Sequence, residues 1–248
     1  MIVSEDIAAA LREIAVKDGL VPETWRGMAR EYYPIAGFYR QAARLEHELG
    51  STESLPVEKV VQSFMYWVYV TWAALVDGNT NELRRGLLSL KVELGVMEHV
   101  LFHEKWDMKW AWTKGPWLLC LTALLADWRD EAWKSNLENL RGHIDRRING
   151  DGQKLAILEA EHLRREGQIV QARKMVETII ADETSPEIII LARLVVARIY
   201  RDSGWNQTAN DTYALIVATA DTPRVLVAVA AREKDGMATV AKSTNGCE

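Results

Sequence analysis

The sequence predicts an all-α protein, and three observations support this fold class. Apolar residues recur with the spacing of amphipathic helices along nearly the whole chain. Glycines and prolines separate these periodic segments at helix-length intervals. No segment shows the strict alternation of apolar and polar residues that marks a half-buried strand. The chain has 248 residues, of which 48% are hydrophobic and 26% charged, so its composition is that of an ordinary globular protein.

Caps and breaks predict the first three helices. Ser4 can cap the first helix, which has acidic residues in its first turn, and Gly19 can end it. Pro22 favours the start of a second helix. Pro34 favours the start of a third, which Gly50 would end.

The segment SFMYWVYVTWAALV, residues 63–76, belongs to a run of 17 uncharged residues that starts at Val60. Such a run can be a membrane span, an interface or a buried helix. It is short for a bilayer span, and no lysine or arginine cluster flanks it. Gln62, Tyr66 and Tyr69 also give it a mildly polar stripe. We therefore expect a helix that other helices cover on nearly all sides, and no membrane association.

The remaining helices are predicted between glycine, proline and polar breaks. Their ranges are 80–94, 96–112, 116–127, 130–148, 153–166, 168–182, 187–203, 205–220 and 223–233. Eight of the ten tryptophans lie in residues 67–133, which favours an oligomer because aromatic residues are enriched at the cores of interfaces.

The predicted organisation has four parts. They are an N-terminal segment at 1–50, a tryptophan-rich helical core at 51–150, helical hairpins at 151–233 and a flexible tail at 234–248. The tail is assigned because its residues show no apolar periodicity.

Two segments of the C-terminal half repeat with a spacing of 37 residues. EAEHLRREGQIVQARKMVETI and VARIYRDSGWNQTANDTYALI align with small residues at matching places, which are Ala160 and Ala197, Gly167 and Gly204, and Ala172 and Ala209. Small residues let two helices of a hairpin approach closely, and a glycine suits the turn between them. Over residues 153–233 the pattern resembles the tetratricopeptide repeat, although the usual tryptophan and terminal proline are missing at their places. An ordinary pair of helical hairpins is the alternative.

The segment REIAVKDGLVPETWRGMARE, residues 12–31, has the pattern of a DNA-binding helix-turn-helix. Gly19 falls where the tight turn between the two helices needs a glycine. The second helix would then present Thr24, Arg26 and Arg30 to base edges or phosphates. A plain helical hairpin is again the alternative.

The charge of this region argues against strong DNA binding by a single chain. Residues 1–58 hold six basic and ten acidic residues, whereas residues 134–174 hold nine basic and six acidic residues. Because phosphate contacts require positive charge, DNA binding would need either several subunits or help from the second region.

Candidate chemistry is sparse, so we expect no enzyme and no cofactor. His99, His103 and Asp107 recur at every fourth residue and could share a metal, or form the polar border of an apolar stripe. The only two cysteines, Cys120 and Cys247, provide no disulfide framework. Together with the acidic N-terminus, they predict a cytoplasmic location.

Two further stretches resemble the small terminase subunit of some temperate tailed phages. One is WAALVDGNTNELRRGLLSLKVELGV, residues 72–96, and the other is residues 185–222, which contain the RDSG turn. The resemblance implies an oligomer that recognises double-stranded viral DNA and hands it to a large ATPase–nuclease subunit, in the host cytoplasm. The chain departs from that family because it lacks a basic C-terminal tail.

Two other functions remain open from the sequence. One is a DNA-free adaptor, scaffold or virion assembly protein whose grooves bind helices or peptides of a protein partner. The other is a regulator in which a helical repeat that binds a ligand controls a helix-turn-helix.

Overall fold

A computed structural model describes residues 3–52, 56–103, 114–128, 132–143, 151–182 and 185–244. These residues form twelve α-helices and no strand, which confirms the predicted all-α class. The helices are α1 Glu5–Val16, α2 Arg26–Ile35, α3 Tyr39–Thr52, α4 Pro56–Asp77, α5 Thr80–His103, α6 Gly115–Leu125, α7 Ala132–His143, α8 Asp151–Arg165, α9 Ile169–Ala181, α10 Pro186–Asp202, α11 Asn206–Ala218 and α12 Arg224–Thr244. None of these described helices is both long and apolar enough to cross a membrane.

The chain divides into two compact units, Met1–Thr122 and Ala123–Glu248, with the boundary inside α6. The sequence predicted divisions near residues 50 and 150 instead. Helix α3 packs extensively on α4 across the first of these positions, and α7 contacts α8 across the second. Both predicted divisions are therefore connections between packed helices and not the limits of a core.

The aromatic helix α4 lies at the centre of the first unit and packs against both α3 and α5. Phe64 and Val68 are completely buried, and only the two ends of the helix and Lys59 are exposed. Trp72 donates a hydrogen bond from Nε1 to Thr122 Oγ1 at 3.0 Å. The helix is covered on nearly all sides by other helices, as its uncharged sequence predicted.

The turns that follow α1 and α2 differ from the sequence prediction. After α1 the left-handed conformation is taken by Asp18, with φ of 51°, and not by Gly19. Aspartate tolerates this conformation because its short polar side chain can hydrogen-bond locally. Pro34 lies inside the last turn of α2, where its missing N–H removes a single helical bond. The chain then turns at Gly37, with φ of 76°.

Helix α5 continues through Gly95, where the sequence predicted a break. Leu90, Leu94 and Met97 are buried along one face on both sides of this glycine. A glycine inside a helix costs about 1 kcal/mol relative to alanine. The burial of a continuous apolar face offsets that cost, so packing and not local propensity decides the length of α5.

The predicted tail at 234–248 is a helix over most of its length, because α12 extends to Thr244. Glu233, at its middle, accepts hydrogen bonds from Arg198, and Val229 and Ala230 are buried one turn earlier. The contacts of this first half of α12 offset the unfavourable free energy of starting a helix. The alanine- and lysine-containing residues that follow can then extend the helix that has formed.

The second unit is built from helical hairpins that pack in chain order. Helices α8 and α9 form one hairpin, and α10 and α11 form the next. Helix α10 of the second hairpin contacts both α8 and α9 of the first, and α12 packs on α11. This arrangement brings the C-terminal ends of α8 and α10 together, which positions the cluster of charged residues described below.

Gly86 allows α5 to approach α4 closely, and an added methyl group should disrupt this contact. A Cβ at Gly86 would lie 2.2 Å from Thr71 Oγ1 and 3.1 Å from Thr71 Cβ. We expect Gly86→Ala to lower the free energy of unfolding by about 1–3 kcal/mol because of overpacking. Chemical denaturation of the full chain measures the change.

Gly95→Ala, in the same helix, is the matched control. A Cβ there would have no atom within 4 Å. It should therefore raise the free energy of unfolding by up to about 1 kcal/mol through helix propensity alone. Equal effects of the two alanines would contradict the close approach of α4 and α5.

Candidate functional site

The N-terminal hairpin is formed by α1 packed on α2. Leu11 and Ala15 of α1 are buried together with Ala29 and Tyr33 of α2, and the Tyr33 hydroxyl donates to the carbonyl oxygen of Leu11 at 3.4 Å. A short 3₁₀ turn, Glu23–Trp25, leads into α2. The segment is thus a helical hairpin, which both interpretations of its sequence required.

The three residues assigned to DNA contact do not form one open basic surface. Thr24 is exposed in the 3₁₀ turn and Arg26 is half-buried. The Nε atom of Arg26 is buried and has no hydrogen-bond partner among the described residues. Arg30 donates two hydrogen bonds to the carboxylate of Glu46, at 2.7 and 3.0 Å. A DNA phosphate would therefore compete with Glu46 for Arg30.

The Arg30–Glu46 pair joins α2 to α3 at the edge of the first unit's core. The side chain of Glu46 is 2% exposed and that of Arg30 is 42% exposed. Burial raises the pKa of Glu46, and the attraction of Arg30 opposes this shift only in part. Removal of Arg30 would leave a buried carboxylate without its cation, so the pair also has a structural role.

The six residues assigned to repeat packing occupy matching positions in the two hairpins. Ala160, Ala172, Ala197 and Ala209 have no exposed surface, and Gly167 and Gly204 both have φ of 77°. Helices α9 and α11 are each 13 residues long and start 37 residues apart. The residue after each glycine donates to the carbonyl five positions back, from Gln168 to Leu163 at 2.8 Å and from Trp205 to Tyr200 at 2.9 Å. The two hairpins therefore share the same turn geometry.

A third turn of this geometry in the second unit, after α6, was not predicted. Asp127 has φ of 47°, and Trp128 donates to the carbonyl oxygen of Ala123 at 2.9 Å. Asp127 stands 40 residues before Gly167, close to the spacing of the other two turns. An alignment of the repeats on their glycines does not reveal this turn, because an aspartate adopts the left-handed conformation here.

A cluster of paired charges lies where these turns meet, and we call it the arginine cluster. It contains four arginines and four carboxylates, which are Arg164, Arg165, Arg198, Arg201, Asp127, Glu161, Asp202 and Glu233. The side chains of Arg164, Arg198 and Glu161 have no exposed surface. The formal charges balance, so the cluster leaves no net charge for a ligand.

Arg198 connects three elements of the second unit. From α10 it donates to Glu233 of α12, with the shortest contact at 2.5 Å. It also donates to the carbonyl oxygens of Leu124 at 2.6 Å and Leu125 at 3.3 Å, which end α6. Tyr213 of α11 donates from its hydroxyl to Glu233 at 2.7 Å. A single buried guanidinium thus joins the last residues of α6, which belong to the second unit, to α10 and α12.

Arg164 and Arg165 make the corresponding contacts from α8. Arg164 donates to both carboxylate oxygens of Glu161 at 2.8 Å, to Asp127 at 2.6 Å and to Asp202. Arg165 donates to Glu161 at 2.7 Å and to the carbonyl oxygen of Trp128, also at 2.7 Å. The cluster therefore ties all three turns of the second unit together.

Two carboxylates of the cluster, Asp127 and Glu161, are held in the ionised form despite their burial. Burial raises the pKa of Asp127, but the combined attraction of Arg198, Arg164, Arg201 and Arg165 outweighs it, so the pKa lies below its usual value. The pKa of Glu161 is also lowered: burial raises it, but the hydrogen bonds from Arg164 and the attraction of Arg198, Arg164 and Arg165 outweigh burial. Carboxylates held in the charged form suit a structural network better than general acid–base catalysis, which needs a pKa near the working pH.

The sequence contained a signal for this cluster. Glu161 and Arg198 occupy equivalent positions in the two repeats, 37 residues apart, within otherwise apolar helix faces. Opposite charges at equivalent buried positions of neighbouring repeats can pair when the repeats stack. Apolar periodicity alone does not reveal such a pair.

An exposed apolar stripe runs along α5 in the first unit. Leu88, Val92 and Val96 follow one another at intervals of four residues and are 50%, 65% and 44% exposed. Residues four apart lie on one face of a helix, so the three side chains form a continuous stripe. Contiguous exposed apolar surface marks an interaction surface more often than single exposed side chains do.

Metal and small-molecule sites find little support in the described residues. His99 is exposed on α5, whereas the side chain of His103 and all of Asp107 lie outside those residues. No group of three or more potential metal ligands occurs in the described part of the chain. A pocket beside Asp18 and Tyr33 has a volume of about 20 Å³, enough for roughly one water molecule.

Comparison of the chain with protein-family models, curated proteins and solved structures finds no match in any of the three. The resemblances to the tetratricopeptide repeat and to the small terminase subunit therefore stay hypotheses that rest on the sequence patterns alone.

Removal of Arg198 should destabilise the second unit. Arg198→Met would leave Glu233 and Glu161 buried with fewer cations, at a cost of about 3–5 kcal/mol in the free energy of unfolding. The double variant with Glu233→Gln should recover part of this loss, because it also removes a carboxylate. Denaturant unfolding measures both changes.

Arg193→Met, in the same helix but only half-buried, is the matched control. It should change the free energy of unfolding by less than about 1 kcal/mol. The arginine cluster would have no structural role if Arg198→Met were as mild as this control.

Proposed function

We propose that this chain is a non-catalytic helical-repeat protein that assembles with copies of itself and holds protein partners together. The observation that carries this proposal is the charge balance of the arginine cluster. Its four arginines and four carboxylates pair with one another where the hairpins meet. Such a network fixes the positions of helices and offers neither a charge nor a poised acid to a substrate.

The surface of the first unit supports self-association. The stripe of Leu88, Val92 and Val96 exposes apolar side chains on a helix that is otherwise well packed. The burial of a valine or leucine side chain on association contributes about 1.5–3 kcal/mol. These three residues are 44–65% exposed, so each contributes only part of this amount, and together they support a contact to which other surfaces also contribute.

A DNA-packaging role like that of a phage small terminase subunit is the more specific candidate. The observation that favours it is the α1–α2 hairpin, on which Thr24 and Arg30 are exposed. An oligomer would repeat this hairpin many times, so that weak contacts of single subunits add up along DNA. A large ATPase–nuclease subunit would then be the protein partner.

The assembly should depend on the α5 stripe. We expect light scattering of the full chain at tens of micromolar to give a mass several times that of the 28.1 kDa monomer. Leu88→Ser with Val92→Ser should weaken the association constant by at least about tenfold, since each change removes about 1–2 kcal/mol of the apolar burial that these half-exposed side chains can still gain.

Val170→Ser is the matched control, because Val170 is 82% exposed in the second unit and far from α5 in sequence. It should leave the mass unchanged. A monomer at these concentrations in the unaltered protein would contradict self-assembly and the terminase hypothesis together.

A test of DNA binding must keep the Arg30–Glu46 pair neutral. The variant that combines Thr24→Ala, Arg26→Ala, Arg30→Gln and Glu46→Gln removes the proposed contacts without leaving a buried charge. If the hairpin binds DNA, this variant should lose about 1–3 kcal/mol of binding free energy or more and show a shallower salt dependence.

Titrations against double-stranded DNA at two ionic strengths measure both effects. Arg30→Gln with Glu46→Gln alone is the control that separates Arg30 from Thr24 and Arg26. Equal affinities and equal salt slopes for all these proteins would leave the hairpin with a structural role only.

A further inference from the structure

We propose that α1 of one copy docks on the α5 face of the next copy, so that the contact between subunits is asymmetric. This inference rests on the self-association proposed above and names the two surfaces that make it. The occupant of the α5 stripe is therefore a second copy of this chain. Three observations support the pairing, which are the charge of α5, the charge of α1 and the matching spacing of the two helices.

The exposed face of α5 is basic and apolar. Between residues 80 and 100, its exposed residues after the first turn are Arg84, Arg85, Leu88, Lys91, Val92, Gly95, Val96 and His99. The glutamates of this helix are less exposed, and Glu82 accepts hydrogen bonds from Arg40 of α3 at 3.0 and 3.4 Å. A surface that contains both arginines and an apolar stripe fits a partner helix that is both acidic and apolar.

The exposed face of α1 has this complementary character. Glu5, Asp6 and Glu13 are exposed, Val16 at its C-terminal end is 73% exposed, and Leu20 in the turn after the helix is 70% exposed. Its opposite face is occupied, because Leu11 and Ala15 are buried within the hairpin.

Two exposed basic residues on α1 make contacts within the same chain. Lys17 pairs with Glu13 at 2.5 Å, and Arg12 donates to the Tyr32 hydroxyl at 3.3 Å. The acidic pair Glu5 and Asp6 therefore dominates the N-terminal end of α1. This end faces outward with negative charge, while the other end carries Val16 and Leu20.

The spacing of charge and apolar side chains matches between the two helices. Eleven residues separate Glu5 from Val16, and eleven residues separate Arg85 from Val96. Eleven residues make about three helical turns and span about 16 Å, so each pair lies on one side of its helix. A parallel packing therefore puts the acidic pair opposite the arginines and Val16 opposite Val96.

A symmetric contact between two α5 faces is less favourable. Both faces would be basic, and like charges across an interface weaken association. An asymmetric contact leaves one free α1 and one free α5 at the ends of any short assembly. Such contacts close into a ring or continue as a filament.

Charge reversal on each helix tests this contact. Glu5→Arg with Asp6→Arg gives a chain with two basic surfaces, and Arg84→Glu with Arg85→Glu gives a chain with two acidic ones. Each variant alone should sediment as a 28.1 kDa monomer at the concentration at which the unaltered chain assembles. An equimolar mixture should assemble again, because each surface then finds an opposite partner.

Lys174→Glu with Lys134→Glu is the matched control, since both lysines are exposed in the second unit and the charge change equals that on α5.

The outcomes separate this inference from the proposed function. A monomeric unaltered chain would overturn both. An unaltered chain that assembles, with reversals that have no larger effect than the control or with a mixture that does not assemble, would overturn the α1–α5 contact alone. Arg85 also stacks on Trp67, with 5.6 Å between the guanidinium carbon and the ring centre, so circular dichroism checks that the α5 variant folds. If it does not fold, the α1 variant decides the question, because assembly of that chain would overturn the contact.

Discussion

The buried salt bridges of the arginine cluster are the interaction on which the second unit depends. Arg198 and Glu161 have no exposed surface, and each is surrounded by helices that the chain must place correctly before their charges can pair. A misplaced hairpin would leave a charge buried without a partner, which costs several kcal/mol. A packing of apolar residues could provide similar stability but would tolerate shifts between neighbouring hairpins. We therefore infer that the cluster specifies how the hairpins stack.

This constraint also bears on function. Arginines in both units are paired within the protein, since Arg30 binds Glu46 in the first unit as Arg198 binds Glu233 in the second. The exposed surfaces of α1 and α5 then carry the charge and apolar area that remain for other molecules. Their opposite charges favour contact between copies, in line with the assembly role proposed above.

The sequence predicted features that depend on local chemistry and missed those that depend on packing. Gly167 and Gly204 revealed the two hairpins because a left-handed turn favours glycine. The same preference gave a wrong prediction at Gly19, because Asp18 takes the left-handed conformation there. It also concealed the turn at Asp127. The helix break predicted at Gly95 was wrong because buried side chains on both sides hold α5 together.

The candidate sites also show that the sequence predicts local features but not contacts between distant residues. Thr24, Arg26 and Arg30 were chosen from their positions on one helix, and this could not reveal that Glu46 lies within reach of Arg30. Pairing of residues 16 or more positions apart depends on the tertiary fold, which apolar periodicity does not specify. The arginine cluster was missed for this reason, although Glu161 and Arg198 occupy equivalent positions of the two repeats and so indicated a charged pair.

We propose that the chain assembles through unlike surfaces of neighbouring copies. An electron cryomicroscopy reconstruction of the assembled protein tests it most directly, because it shows which helices meet between subunits. We expect α1 of each subunit to lie along α5 of the next, with Glu5 and Asp6 beside Arg84 and Arg85 and with the apolar stripe covered. An assembly whose subunits meet through other helices, or through two α5 faces related by a twofold axis, would contradict it.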